Sequence, residues 1–325
     1  MKGRALSTLL VATVVLVVTT AWAQQSTKVS VVGLLMVAAP LNDPGVGGAL
    51  RDGLSDLGYV EGRNFRLEYR SAEGHPDRLP GLAEELVRLK VDVIVTGTDA
   101  ATRAAKQATS TIPIVVMLPE DDPVAAGFIE SFNHPGGNIT GLVVRNSQLV
   151  GKRLELLKEI LPGLSRVAVL WDPLVHAELA QLKPAARALG IELQLVEVNA
   201  PYDFDTAFST IKRQKAGAVM LLSTPQVYVR RFQLGALALK RRLPVESPFH
   251  DLTRAGGLMS YSTNVRDGFY RTAYYVDRVL KGAKPSDLPF EQTANVKFIV
   301  NLKTADRLGI KVPQSILLVA DEVIQ

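Results

Sequence analysis

Cysteine is absent from all 325 residues. That excludes disulfides, thiolate nucleophiles and thiolate-held metals. A strong charge of either sign is missing too: 37 Lys and Arg stand against 32 Asp and Glu. The basic residues are spread along the chain rather than clustered, which counts against a nucleic-acid partner. Beyond residue 20 no run is long and apolar enough to span a bilayer. Catalytic signatures are wanting as well: there is no G-x-x-x-x-G-K-[ST], no H-E-x-x-H and no G-x-S-x-G. The four histidines, His75, His134, His176 and His250, have no metal-ligand spacing and read as solvated turn residues. No metal, no cofactor and no enzymatic activity is expected.

What is present begins with a leader. Lys2 and Arg4 precede an apolar stretch over residues 6–20, and Ala21-Trp22-Ala23 supplies small residues at the −3 and −1 positions of a cleavage site. The expected mature N-terminus is Gln24, with no cysteine there to carry a lipid. Removing Lys2 and Arg4 leaves 35 basic against 32 acidic residues, a net charge of +3. About 300 mature residues suit two domains. The expected product is a soluble protein outside the cytoplasm.

The mature chain alternates strand and helix patterns. Buried-strand runs at 29–37, 92–96 and 114–118 and an alternating strand at 64–70 are interleaved with helical stretches at 45–57, 79–87 and 100–108. Leu79, Leu82, Ala83, Leu86 and Val87 form one helical stripe. After a turn cluster at 134–138 the rhythm restarts. Strands are expected at 139–145, 167–171, 192–198, 218–222, near Val245 and at 256–260, with helices at 148–161, 178–189, 204–214 and 227–241. The predicted class is therefore α/β, two Rossmann-like lobes with parallel sheets and a cleft between them. Gly45-Val46-Gly47-Gly48 is a poor dinucleotide loop, since it begins eight residues past the strand and Leu50 occupies the third glycine position.

Three segments point to a family: Leu57-Gly58-Tyr59-Val60-Glu61-Gly62-Arg63-Asn64, Asp122-Pro123-Val124-Ala125-Ala126-Gly127 followed by His134-Pro135-Gly136-Gly137-Asn138-Ile139-Thr140-Gly141, and Gly256-Gly257-Leu258-Met259-Ser260-Tyr261. Together they resemble ABC-transporter substrate-binding proteins of the tryptophan/tyrosine-binding type, a branch of the type I periplasmic binding proteins. The resemblance implies a clamshell joined by crossing strands, capture of a small solute, an amino acid or aromatic carboxylate, and delivery to an ABC permease in the inner membrane. A periplasmic protein acting as a monomer is expected. Crossings are expected near 141–145, 261–265 and 296–301. Residues 24–142 and about 264–300 then form lobe 1, and residues 143–263 and about 301–325 form lobe 2. A ligand-sensing module for a membrane receptor would read alike at this level. A secreted α/β enzyme fits less well, for want of a nucleophile–base pair.

Ligands of open parallel sheets sit at the carboxyl ends of strands. In lobe 1 that singles out Ala38 and Pro40 as apolar lining. Thr98 and Asp99 open a helix whose free N–H groups suit a carboxylate, or they simply cap it. Pro119 and Glu120 end the next strand. Asp122, before Pro123, is either a cap or a counter-charge for an ammonium. Arg145 and Asn146 are hinge or ligand residues. In lobe 2 the expected contacts are Trp171 and Asp172, Thr224 and Gln226, and Tyr261, with the Trp171 indole set to stack on a ring or acyl chain or, alternatively, buried in the lobe core.

Overall fold

A computed structural model of the chain describes residues 29–118, 122–144, 146–173, 176–199, 201–293 and 295–325. The leader with its cut after Ala23, and the candidates Pro119, Glu120 and Arg145, lie outside these residues.

The first lobe is built from β1 (Ser30–Met36), α1 (Gly47–Asp56), β2 (Phe65–Ser71), α2 (Leu79–Arg88), β3 (Val93–Thr96), α3 (Asp99–Ala108), β4 (Ile114–Leu118) and β5 (Ile139–Val143). The second follows with α4 (Asn146–Ile160), β6 (Arg166–Trp171), α5 (His176–Ala188), β7 (Glu192–Glu197), α6 (Phe204–Arg213), β8 (Ala218–Leu221), α7 (Pro225–Val229), α8 (Arg231–Arg241), β9 (Val245–Ser247), α9 (His250–Arg254) and β10 (Met259–Thr263). The chain ends with α10 (Val265–Leu280), β11 (Glu291–Gln292), β12 (Val296–Asn301), α11 (Leu302–Leu308), α12 (Gln314–Val319) and β13 (Glu322–Ile324). Among the described residues no helix is long and apolar enough to cross a membrane.

Local chemistry explains the element ends. Asp203 caps α6 by accepting from the Thr206 N–H at 3.0 Å, and Phe204, Ala207, Phe208 and Ile211 then repeat at i, i+3, i+4 and i+7 on its buried face. Asn264 caps α10 and Asn301 caps α11 in the same way. The helix expected at 227–241 is broken at Arg230 into α7 and α8. The strand expected at 256–260 begins three residues later, because Gly256 adopts φ +133° and turns the chain first. α10 was not anticipated by the sequence pattern. It lies against α1, where Gly53 permits close approach: a Cβ there would stand 2.6 Å from the Tyr270 carbonyl oxygen.

Six strands form the first sheet, in the order β11-β5-β4-β3-β1-β2, all parallel. Seven form the second, β13-β12-β10-β9-β8-β6-β7, parallel except for β10 against β12. The expected two-sheet α/β architecture is thus observed. The chain passes between sheets after β5, after β10 and between β11 and β12. Since β12 pairs with β10, residues 296–301 belong to the second sheet, a few residues before the lobe boundary expected at about 300.

Strand alternation divides the interior into three apolar clusters. One covers the outer face of the first sheet and one the outer face of the second. The third runs through both lobes, from Val32, Leu34 and Met36 to Leu170, Leu221, Tyr228 and Phe249. Apolar packing therefore continues across the boundary between the lobes.

Candidate functional site

The carboxyl ends of strands from both sheets meet at a cavity. It encloses roughly 690 Å³ of non-atom space, open solvent at its mouth included. Lobe 1 contributes Met36, Gly97, Thr98, Met117 and Val144 beside Ala38 and Ala39, and lobe 2 contributes Ser223, Thr224, Tyr228 and Phe249. Val265 and Phe269, from the start of α10, complete the wall. Gly97 is required by packing: a Cβ there would stand 2.7 Å from the Phe269 ring. Among the described lining residues none carries a charged side chain. Such a wall accepts an apolar or aromatic group and leaves polar recognition to a few hydroxyls and backbone groups.

Thr98 combines both roles weighed for it. It lines the cavity, and its hydroxyl caps α3 by accepting from the Ala101 N–H at 3.2 Å. The start of this ten-residue helix, with Asp99 as its first residue, thus faces the cavity region. Thr224 likewise lines the cavity and accepts from the Val227 N–H at 3.1 Å.

One carboxylate bridges the lobes. Asp43, on the loop between β1 and α1, is 6% exposed. Its Oδ1 accepts from the Tyr228 hydroxyl at 2.7 Å and from the Gly45 N–H at 2.9 Å. Its Oδ2 accepts from Arg231 Nη2 at 2.9 Å. Arg231, 2% exposed, also donates to the Tyr228 carbonyl and to Asp251, and its guanidinium lies 4.2 Å from the Tyr228 ring centre. Burial, and then the neighbouring Asp43 carboxylate, push the Tyr228 phenol well above its ordinary range, so it serves as a donor. Gly45 makes the bridge possible, because a Cβ there would lie 2.3 Å from the Tyr228 hydroxyl.

A second groove between the lobes collects Ala38, Pro40, Tyr69, Glu73, Gln226 and Arg230. Ala38 borders both openings. Gln226 accepts from Arg230, and its amide lies against Gly74 of lobe 1.

The remaining expected residues are placed elsewhere. Trp171 packs with the outer cluster of the second sheet, edge-on to His176 at 6.3 Å between ring centres. Tyr261 lies mid-strand in β10, edge-on to Phe298. Both have the parity of outward residues: Val167, Val169 and Trp171 share the outer cluster, whereas Ala168 and Leu170 face the interlobe one. Asp172 is buried just past β6, outside the cavity wall. Asp122 is exposed and accepts from the Val124 N–H at 2.9 Å, closing a turn rather than a helix. Asn146 is the first residue of α4. His250 departs from the solvated-turn expectation: it is 5% exposed, and its Nε2 sits 3.1 Å from the Ser262 carbonyl oxygen. Burial lowers its pKa. No group of three or more metal-ligating side chains occurs among the described residues.

Sequence reading missed Met36, Met117, Ser223, Tyr228, Phe249 and Phe269, together with Asp43 and Arg231. For the first three the signal existed. Each sits within two residues of a strand end with the parity of the interlobe cluster: Met36 follows Val32 and Leu34, Met117 follows Val115, and Ser223 follows Val219 and Leu221. Tyr228, Phe249 and Phe269 reach the cavity from helices or their caps, and no strand pattern marks them.

Comparison with known proteins gives a consistent picture. A family model described as ABC transporter substrate binding protein matches residues 28–324. The tyrosine-binding protein of Clostridioides difficile strain R20291 is 23% identical over 262 residues, 79% of this chain and 74% of the relative. A conserved domain protein from Vibrio cholerae O1 biovar El Tor superposes with a TM-score of 0.81 at 27% identity, over 91% of this chain and all of that one. An ABC domain from Streptococcus pneumoniae in complex with L-Trp superposes with a TM-score of 0.79 at 22% identity, with the same coverage.

Proposed function

This chain belongs to the ABC transporter substrate-binding protein family, and from that premise we propose that it is the exported, periplasmic component of an ABC importer, capturing an amino acid or aromatic carboxylate between its lobes. The observation that carries this reading is the interlobe cavity. Its wall of Met36, Met117, Tyr228, Phe249 and Phe269 suits a ring, while Thr98 and the N-terminus of α3 suit a carboxylate. The tyrosine- and L-Trp-binding relatives support the same ligand class.

No bond is made or broken in this function. The lobes close on the solute, and contacts to both walls supply the preference for the closed form. Closure joins Asp43 to Tyr228 and Arg231. The protein acts as a monomer and delivers its solute to an inner-membrane permease.

A thermal-shift screen over amino acids and aromatic acids, followed by calorimetry, tests the ligand class, because a ligand bound only by the native state raises the melting temperature. A rise with tyrosine, tryptophan or their carboxylate analogues is expected. No response to any of them at millimolar concentration overturns the assignment. Intact-mass measurement of protein recovered from the periplasm should show Gln24 as its first residue, and recovery of the uncut chain with membranes would refute the exported soluble carrier.

A further inference from the structure

The cavity opens at the carboxyl ends of the strands, and the turns at their amino ends form the far side of lobe 2. There the parallel strands β9, β8, β6 and β7 begin side by side: Val219 pairs with Val245, the Gly217 N–H donates to the Arg166 carbonyl, and Arg166 pairs with Glu192. The segments leading into β8 and β9, residues 212–215 and 240–242, hold six basic residues and no acidic one. Lys212, Arg213, Lys215, Lys240 and Arg242 are exposed. Lys303, exposed near the start of α11, joins the row, because the Asn301 N–H donates to the Leu258 carbonyl and the Leu258 N–H to that of Val245. Of the acidic residues near this end, Glu192 is paired with Arg166 and Asp205 with Arg241, while Glu159 and Asp306 are exposed and offset part of the charge. At the matching end of lobe 1 the signs alternate, with Asp56 and Arg88 closing α1 and α2 and Lys90 and Asp92 in the turn before β3.

We propose that this basic rim of lobe 2 docks on an anionic phospholipid surface. Its residues are dispersed in the sequence and gathered by the topology. Adjacent strands stand about 4.8 Å apart, so charges on neighbouring turns fall within a Debye length of about 8 Å at physiological salt and act together. Lys212, Arg213, Lys240 and Arg241 also complement the dipoles of α6 and α8 from their last turns, and Lys215 and Arg242 carry the positive face on into the turns beyond. The turns at 161–165, 189–191, 214–217 and 242–244 contain no aromatic residue to stack on a base or to anchor a protein interface. Long, exposed lysine and arginine side chains meet a fluid array of phosphate groups without needing a fixed geometry. The rim is remote from the cleft, so docking leaves ligand exchange unobstructed. For an exported carrier with no cysteine to acylate, it supplies a reversible membrane contact in place of a lipid anchor. The inference does not depend on which solute the cleft takes.

The experiment is co-sedimentation of the full mature chain with vesicles of phosphatidylcholine alone and of phosphatidylcholine mixed with phosphatidylglycerol, at low and at physiological salt. Binding is expected to the mixed vesicles only, and it should weaken as salt rises. The combined variant Lys212→Gln, Lys215→Gln, Lys240→Gln and Arg242→Gln should lower the partition by about 100-fold or more, since each basic residue near a charged surface contributes roughly a factor of five. Its melting temperature should not change, because all four side chains are exposed. A second variant, Arg63→Gln, Lys90→Gln, Arg278→Gln and Lys284→Gln, removes the same charge from exposed positions of lobe 1 and should bind as the wild type does. Equal weakening in the two variants would make total charge the cause and overturn the rim as the docking surface. Absence of wild-type binding to the mixed vesicles at low salt overturns the inference outright. Binding of single-stranded RNA as tight as that of the mixed vesicles would make the rim a general polyanion surface and overturn its assignment to lipid. A chain that ignores the vesicles yet still responds to solutes in the thermal-shift screen leaves the proposed function standing without this inference.

Discussion

Two buried arginines carry similar chemistry to different ends. Arg153 and Arg231 are 1% and 2% exposed, and each is held by two carboxylates and a backbone carbonyl. Every partner of Arg153 belongs to lobe 2, so its ion pairs persist however the lobes move. Arg231 reaches across the cleft to Asp43 of lobe 1, and one of its pairs exists only when the lobes are together. The first cluster can set the shape and polarity of a wall. The second can bias an equilibrium between open and closed forms, because only contacts that differ between states shift a population.

Breaking the Arg153 cluster should have the largest effect. Arg153→Met strands Glu178 and Glu246 in the core, and a loss of about 3–5 kcal/mol of folding stability is expected, read from the shift in the denaturant midpoint. Adding Glu178→Gln and Glu246→Gln should recover much of it, because the unpaired charge rather than the missing guanidinium is the main cost. Arg231→Met sharpens the contrast. Asp251 already has a side chain 42% exposed, and opening the lobes lets water reach Asp43, so the stability loss should be smaller than for Arg153→Met, and the ligand dissociation rate should rise. A stability loss equal to that of Arg153→Met, with unchanged dissociation, would erase the distinction.

Gly45→Ala probes the same bridge by sterics alone. A methyl 2.3 Å from the Tyr228 hydroxyl forces the bridge apart, at a cost of about 1–3 kcal/mol typical of overpacking. The loss should appear mainly in ligand affinity, and scattering should give a larger radius of gyration with ligand present than for the wild type. The smallest effect expected is that of His250. Burial depresses its pKa below the ordinary value of about 6.5. The unfolded chain therefore takes up a proton first as pH falls. The stability from neutral His250 is complete above roughly pH 6.5 and declines below it, by at most about 1.4 kcal/mol per pH unit for one proton. The Ser262 carbonyl, which favours the protonated ring, and then the charges of Arg254, Asp251 and Glu322 set the remainder of the shift. His250→Gln should flatten the slope of stability against pH between 6.5 and 5, and an unchanged slope would assign it to other groups.

Much of the fold was legible because its strands are short apolar runs and its early helices carry clear stripes and caps. The candidate site was legible only in part. Strand ends located Ala38, Thr98 and Thr224 at the cavity, since that position follows from the α/β architecture. The same rule pointed to Trp171 and Tyr261, but a strand end has two faces. For Trp171, alternation with Ala168 and Leu170 places the ring outward. For Tyr261, the strand continues to Thr263, and it is Thr263 that reaches the cavity.

By itself the sequence determined what depends on neighbours along the chain: the alternation of strands and helices, their caps, the glycine turns and the absence of thiol chemistry. These follow from backbone sterics and from periodicities of two and 3.6 residues. Only the tertiary structure decided which groups meet across the cleft. Asp43 and Arg231 are 188 residues apart, Arg153 and Glu246 are 93 apart, and Glu178 and Ser223 are 45 apart. No local pattern marks these pairings, because a buried charge finds its partner through the packing of sheets and helices, and burial is what gives the pairing its energetic weight.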